Sequence, residues 1–347
     1  MNELSRSTRW LLGALACCIT MLAAAASAAP IRVGTTNSSS DAPLFIAERK
    51  GYFKQEGLEV QFTSFDSAAK MIAPLGTGQL EVGAGAPTAG FFNAAARNLN
   101  IKMVADKGSM PPGYGYLALL VRKDLVDSGR YKSFADLKGM KIGLPAQGTT
   151  TDGTLNEALK RGGVKWSDIE VTYLGFPQHV VALQNKAIDA SVTTEPSVTR
   201  AEQLGVAVRV AGGDEVFPNQ QVAVILYGDN FIKTQPDAAR KFMRAYLKAV
   251  RDYNDALVGG KLAGPNANDI IGILTADTII KDPGVYKAIY ANGCNPDGHI
   301  NIESVKKDLQ LFRDRGLIQG DVTVEQVVDN SFVEAALKEL GTYKRKR

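Results

Sequence analysis

Cysteine, histidine and tryptophan are all scarce in this 347-residue chain, which has three, two and two of them. Cys17 and Cys18 sit in an apolar N-terminal stretch, so past it Cys294 stands alone. One cysteine excludes an internal disulfide. With so few thiols and imidazoles, and with no H-E-x-x-H or C-x-x-C run, there is no recognisable metal site and no expected cofactor. A G-x-S-x-G nucleophile elbow is also missing, which leaves enzymatic readings weak. Beyond the N-terminal stretch no apolar run approaches membrane-spanning length. Charge of one sign is not concentrated either: the net charge is +4, and the basic residues are scattered except for the tail Lys344–Arg347. That tail reads as a frayed, solvated end, and no nucleic-acid partner is expected.

The N-terminus itself is informative. Arg6 and Arg9 precede the apolar stretch Trp10 to Ala26, and Ala26-Ser27-Ala28 supplies an A-x-A cleavage pattern. Residues 1–29 therefore read as a secretory signal peptide, cleaved after Ala28 or Ala29, with an uncleaved anchor or acylation at Cys17 or Cys18 as alternatives. The expected location is periplasmic. The remainder is long enough for one or two domains with a sizeable core, and 45% hydrophobic with 22% charged residues is ordinary globular composition.

From Ile31 to about Ala211 short β-type runs alternate with amphipathic helical stretches, the pattern of a mostly parallel sheet covered by helices. Strands are expected at 31–35, 58–65, 80–85 and 101–105, then at 141–145, 169–174, 188–193 and 207–210. Helices are expected at 42–50, capped by Asp41, at 87–96 and at 151–162. Two groups of four strands predict two lobes, and the apolar runs Tyr114–Arg122 and Gln221–Tyr227 suit strands that cross between them. After Pro236 the pattern is helical, with Ala239, Phe242, Met243, Tyr246, Leu247, Val250 and Tyr253 on one core-facing stripe. Further helices at 267–278, 302–315 and 324–340 are expected on the outer face of the first lobe. The predicted division is a discontinuous lobe of residues 30–117 and 223–343, an inserted lobe of 118–222, and a tail of 344–347. In such open α/β sheets ligands bind beyond the carboxyl ends of the strands, so both lobes aim their strand-end loops at one cleft.

Several of these segments resemble the sulfonate, nitrate and taurine type of ABC-transporter substrate-binding proteins. The run Pro43-Leu44-Phe45-Ile46-Ala47-Glu48-Arg49-Lys50-Gly51-Tyr52-Phe53-Lys54-Gln55-Glu56-Gly57-Leu58 is similar to that family's opening helix and approach to the second strand. Gly76-Thr77-Gly78-Gln79-Leu80-Glu81-Val82-Gly83 is similar to the run before its third strand. Ala182–Ala190 with Glu195-Pro196 is similar to its second-lobe signature. The resemblance implies a two-lobed periplasmic-binding-protein fold of type II. It also implies capture of a small, anionic organic solute (a sulfonate, nitrate-like or carboxylate ligand), and an ABC permease with its ATPase as partners of a monomeric protein. Docking on a sensory receptor and biosynthetic catalysis of the thiamine-pyrimidine or menaquinone type are the alternatives. The pyrimidine synthases carry a cysteine-rich motif that this chain lacks. It departs from the family at Thr193-Thr194-Glu195-Pro196, where an aromatic residue often precedes the Glu-Pro pair, and in its hydroxyl-rich first loop.

The candidate ligand residues follow from the strand-end loops. Gln147, Gly148, Thr149, Thr150 and Thr151 join a strand to a helix start, where amides and hydroxyls can cradle an anion; alternatively the threonines serve only their own backbone. Gly85, Ala86 and Thr88 form a second such loop, although close strand–helix packing explains glycines equally well. Thr36, Asn37, Ser38 and Ser39 form the first-strand loop, where turn chemistry alone could require them. Thr194 and Glu195 lie beyond a strand; Glu195 could meet a ligand donor, pair with an arginine across the cleft, or simply favour a helix start. His179 is a ligand donor or a first-turn residue. Tyr114, Phe176 and Phe217 are the candidate aromatic walls, with core or hinge packing as the plainer account of each.

Overall fold

The computed structural model describes residues 29–345, so the expected signal peptide and the last two residues of the basic tail lie outside the described part. Ten strands form two five-stranded sheets. They are β1 (Ile31–Thr35), β2 (Val60–Ser64), β3 (Val82–Gly85), β4 (Lys102–Ser109), β5 (Leu117–Arg122), β6 (Lys141–Leu144), β7 (Glu170–Tyr173), β8 (Ala190–Thr194), β9 (Ala207–Gly212) and β10 (Gln221–Tyr227). The first sheet has the order β2-β1-β3-β10-β4 and the second β7-β6-β8-β5-β9. Each is mixed. In the first, β10 runs antiparallel to both neighbours while β1 pairs parallel with β2 and β3. In the second, β5 is the antiparallel strand.

The two apolar runs expected to cross between lobes therefore do something slightly different. Each is the antiparallel strand inside a sheet, fully buried along its length. The crossings are the shorter segments just before them. These two segments are tied together, since Met110 N donates to Gln220 O at 3.0 Å and Asn219 N to Met110 O at 2.8 Å.

Numbering only helices of eight or more residues, α1 is Ala42–Arg49, α2 Ala89–Ala96, α3 Thr150–Arg161, α4 Phe176–Gln184, α5 Pro236–Asp255, α6 Ala267–Asp277, α7 Ile302–Asp314 and α8 Ser331–Leu340. Side chains on successive strand positions alternate between faces, so each sheet feeds two cores. In the first sheet Val33, Val82, Ile225 and Tyr227 pack with the α1, α5 and α6 side, whereas Met103, Val224 and Leu226 pack with α2 and α7. Every residue of the expected α5 stripe is buried, and each large one contributes roughly 1.5–3 kcal/mol by leaving water.

Three expectations need correction. Asp41 does not cap α1: its carboxylate turns back to the amides of Thr36 and Ser38, because Ser38 starts a short 3-10 turn ahead of the helix. The helix expected over 324–340 is broken, since Val328 bridges to Met103 and Asp329 N donates to Met103 O at 2.9 Å, extending the edge of β4. And α7 is not confined to the first lobe's outer face. Its Asp308 accepts from Gln220 in the second crossing segment, and Arg315 just beyond it pairs with Asp152 on α3.

Candidate functional site

Loops from both sheets converge on one enclosed cavity. The β1 side contributes Thr36, Ser38 and Ser40, the β2 side Ser67 and Ala68, and β3 Gly85 and Ala86. The second sheet contributes Pro145, Thr149, Thr150 and Thr151 after β6, Phe176 after β7 and Thr194 at the end of β8. Tyr116, Val222 and Ala223 close it at the crossings. Its volume is only about 30 Å³, and roughly 10–15 Å³ is needed per water, so the lobes are drawn tightly together. Two larger hollows, of about 420 and 870 Å³, lie elsewhere. Size does not decide between these three, because of the three only the small one lies where strand ends of both sheets meet.

Contacts between the two halves surround this cavity. Ala89 N, first in α2, donates to Gly148 O at 2.8 Å, and Ser39 N donates to Glu195 O at 2.8 Å. Thr150 Oγ1 donates to Val222 O at 2.9 Å. Gly148 has φ +67°, and a Cβ there would stand 2.6 Å from Ala89 Cβ, so only glycine lets the halves approach this closely. Gly85 is likewise pressed against Ala68, which would sit 2.6 Å from an added Cβ.

The electrostatics are unlike a plain anion cradle. Asp152 accepts from the amides of Gly148 and Thr149 at 3.0 and 3.4 Å, so the chain's own carboxylate occupies part of the expected nest. Asp41 does the same in the first loop, taking the amides of Thr36 and Ser38. Each carboxylate has its own cation. Asp41 pairs at 2.6 Å with Lys107, both side chains fully buried, and Lys107 also donates to Ser40 Oγ at 2.9 Å. Asp152 pairs with Arg315, yet burial still raises its carboxyl above the usual range. What faces the cavity is neutral: hydroxyls, backbone and apolar groups, with no Lys, Arg, His, Asp, Glu or Cys among the lining residues. Thr149 and Thr151 hydroxyls bond each other at 2.7 Å, and the first amides of α3, at Thr150 and Thr151, have no carbonyl four residues back to receive them. Thr194, 2% exposed, has a hydroxyl without a partner.

Of the candidate residues, Thr36, Ser38, Gly85, Ala86, Thr149, Thr150, Thr151 and Thr194 line this cavity. Asn37 and Ser39 face an adjoining pocket, Gln147 is exposed, and Gly148 is the contact between halves. Four others lie away from the cavity lining. Thr88 is spent on capping α2, accepting from Phe91 N at 3.0 Å. Tyr114 lines the 420 Å³ hollow near Asp106. His179, on the inner face of α4, is fully buried and bonded to Leu174 O at 2.8 Å, and burial pushes its pKa down to about 4. Glu195 accepts from Thr199 N and Oγ1 at 2.9 Å each and from Tyr290 N at 3.0 Å, and burial raises it to about 7. Among the aromatic candidates Phe176 reaches the cavity and Phe217 does not. Ser40, Ser67, Tyr116 and Lys107 were missed. No signal in the sequence marks them: Lys107 directly follows Asp106 in a strand, β4, that also carries Lys102 and Ser109.

Comparison with known proteins gives a consistent picture. The family model described as "NMT1/THI5 like" matches residues 38–255. A putative binding protein of Brucella abortus is 28% identical over 229 residues, 65% of this chain and 67% of its own. The riboflavin-binding protein RibY of Chloroflexus aurantiacus is 28% identical over 310 residues, covering 84% of this chain and 82% of its own. A yeast (Saccharomyces cerevisiae) 4-amino-5-hydroxymethyl-2-methylpyrimidine phosphate synthase is 28% identical over 223 residues, 61% and 62% of the two chains. Among solved structures, the alkanesulfonate-binding protein SsuA of Xanthomonas axonopodis bound to MOPS has a TM-score of 0.70, with 18% identity over 88% of this chain and 99% of its own. The periplasmic nitrate-binding protein NrtA of Synechocystis has a TM-score of 0.73 with 13% identity, covering 90% and 89%. These last two likenesses establish the fold, that of periplasmic binding proteins.

Proposed function

The chain belongs to the NMT1/THI5-like family, and from that premise we propose that it is the extracytoplasmic solute-binding component of an ABC importer. The two lobes, one built on each sheet, close over a small polar organic solute and present the closed form to a membrane permease and its ATPase. The observation that carries this reading is the cavity itself. It is assembled from strand-end loops of both sheets, so it is complete only when the halves meet, and hydrogen bonds from Ala89 to Gly148 and from Ser39 to Glu195 join the halves beside it. A solute that contacts both halves favours closure by its differential affinity for the closed form.

The lining also narrows the chemistry. With no cationic side chain at the cavity, the solute is held by the hydroxyls of Thr149, Thr151 and Thr194 and the helix-start amides of α3, and not by an ion pair. Sulfonates, nitrate and carboxylates remain the anionic candidates, with neutral heterocycles beside them. Catalysis is the second reading, because the yeast relatives carry a synthase name. Against it, the lining holds no group able to move a proton near neutral pH, and Cys294 is buried with its thiol pushed up.

Thermal-shift screening against nitrate, alkane- and arylsulfonates, aromatic carboxylates and pyrimidines tests the proposal. A ligand at a hundred times Kd adds about 2.7 kcal/mol, which raises Tm by several degrees. The solute recovered afterwards should be chemically unchanged. No shift from any class, or a converted solute, overturns the reading.

A further inference from the structure

The cavity between the strand ends has room for about two or three waters, far less than an organic solute occupies. Next to it lies a pocket of about 190 Å³. Ser38 forms a wall of both. The pocket is lined from the first half by Phe45 of α1, Leu274 of α6, Ile279 and Tyr286, and from the second by Pro196. It is thus a composite of both halves, as the cavity is. It also contains an unexplained polar group: Ser39 is 4% exposed and its hydroxyl has no partner, although its amide is bonded to Glu195 O. The other polar groups in its wall are spoken for, Asn37 bonded to Ser64 and Thr278 to Leu274 O and Tyr286 OH, and a chamber with apolar walls and one orphaned hydroxyl beside Ser38 has the form of a site for a substituent attached to a polar head. A buried apolar cavity of roughly 150 Å³ is enough for a benzene ring. The one charge present, Asp277, is already paired with Arg49 at the surface.

Resting on the solute-binding reading above, we infer that this pocket is a second compartment of the same site. Its solute is two-part: a small polar head sits among Thr149, Thr151 and Thr194, and an apolar, ring-sized tail passes Ser38 and Ser39 into the chamber of Phe45, Leu274, Ile279, Tyr286 and Pro196. The pocket then sets specificity, since the polar cavity alone cannot distinguish large solutes from small ones.

Head-matched pairs test this by titration calorimetry: methanesulfonate against benzenesulfonate, acetate against benzoate, and formamide against benzamide. For a head that binds, the aryl member should bind at least tenfold tighter, about 1.4 kcal/mol. The variant Ile279→Trp, at a position 53% exposed and so tolerant of bulk, should remove that advantage while leaving the short member's affinity and the solute-free Tm unchanged. If Ile279→Trp proves unstable, Ile279→Phe serves in its place. Short members that bind with no gain from the ring, or a gain that survives the blocked pocket, overturn the compartment and leave the solute-binding reading standing. Absence of binding by every pair, short and long, overturns both.

Discussion

Replacing Gly148 by alanine separates the energetics of folding from those of closure. The added methyl acts in two ways. At φ +67° it imposes a left-handed conformation that costs an L-residue roughly 1–2 kcal/mol. This applies in open and closed forms alike, so it lowers Tm and leaves affinity alone. Independently, the new Cβ would lie 2.6 Å from Ala89 Cβ, in the other half of the molecule. Relief requires the halves to part slightly, at an overpacking cost of roughly 1–3 kcal/mol. That movement also strains the 2.8 Å bond from Ala89 N to Gly148 O, worth about 1 kcal/mol. The closed form alone bears these last two penalties. Together they come to about 2–4 kcal/mol, a loss of affinity of roughly 30- to 1000-fold. Calorimetric titration with the solute selected by thermal shift measures it, beside urea unfolding of the solute-free protein. Adding Ala89→Gly should restore most of the affinity and none of the lost Tm. If Gly148→Ala lowers Tm but leaves affinity intact, or if Ala89→Gly gives no rescue, then the contact is not one that closure makes and the reasoning is wrong.

Thr194→Val should lower solute affinity at least tenfold while leaving the solute-free protein as stable or slightly more so, since its hydroxyl is buried without a partner; a loss of Tm with unchanged affinity would assign Thr194 to the fold alone. Arg315→Leu leaves Asp152 buried without its cation across the halves, so affinity should fall at least tenfold by calorimetry; unchanged affinity would show the pair to be indifferent to closure. His179, held at a pKa of about 4 by burial, is neutral in the fold and binds a proton near pH 6.5 when unfolded. Its contribution is therefore present above pH 6.5 and lost as pH falls toward 4, by roughly 3 kcal/mol in all. His179→Leu should flatten the urea midpoint over that window, and an unaltered slope would refute the assignment.

Much of this fold was legible because period and punctuation agree. Ile31–Thr35 and the α5 stripe from Ala239 to Tyr253 carry patterns that only one arrangement buries. Strand identity was also clear at β5 and β10, but their neighbours were not, since an uninterrupted apolar run does not say which sheet receives it. The site was legible at the level of loops and less so at the level of side chains. Thr149, Thr151 and Thr194, which line the cavity, could be singled out because strand ends bind ligands in such folds. Tyr116 and Ser67 were missed because one lies in a crossing and the other on the way into a short 3-10 turn. His179 and Glu195 follow strands as ligand residues do, yet each turns inward to acceptors and donors of its own half or its neighbour. Nothing in a single sequence announces that direction. Asp41 and Asp152 illustrate the same limit: each sits three residues after a hydroxyl-bearing cap, Ser38 or Thr149, and only their geometry reveals that they fill the amide nests from within.

Closure upon a solute is the central claim, and small-angle X-ray scattering tests it most directly. Protein stripped of bound small molecules by unfolding and refolding should have a larger radius of gyration alone than with the solute selected by thermal shift, and the liganded profile should match the closed structure described here. A profile unaltered by saturating solute would contradict the account.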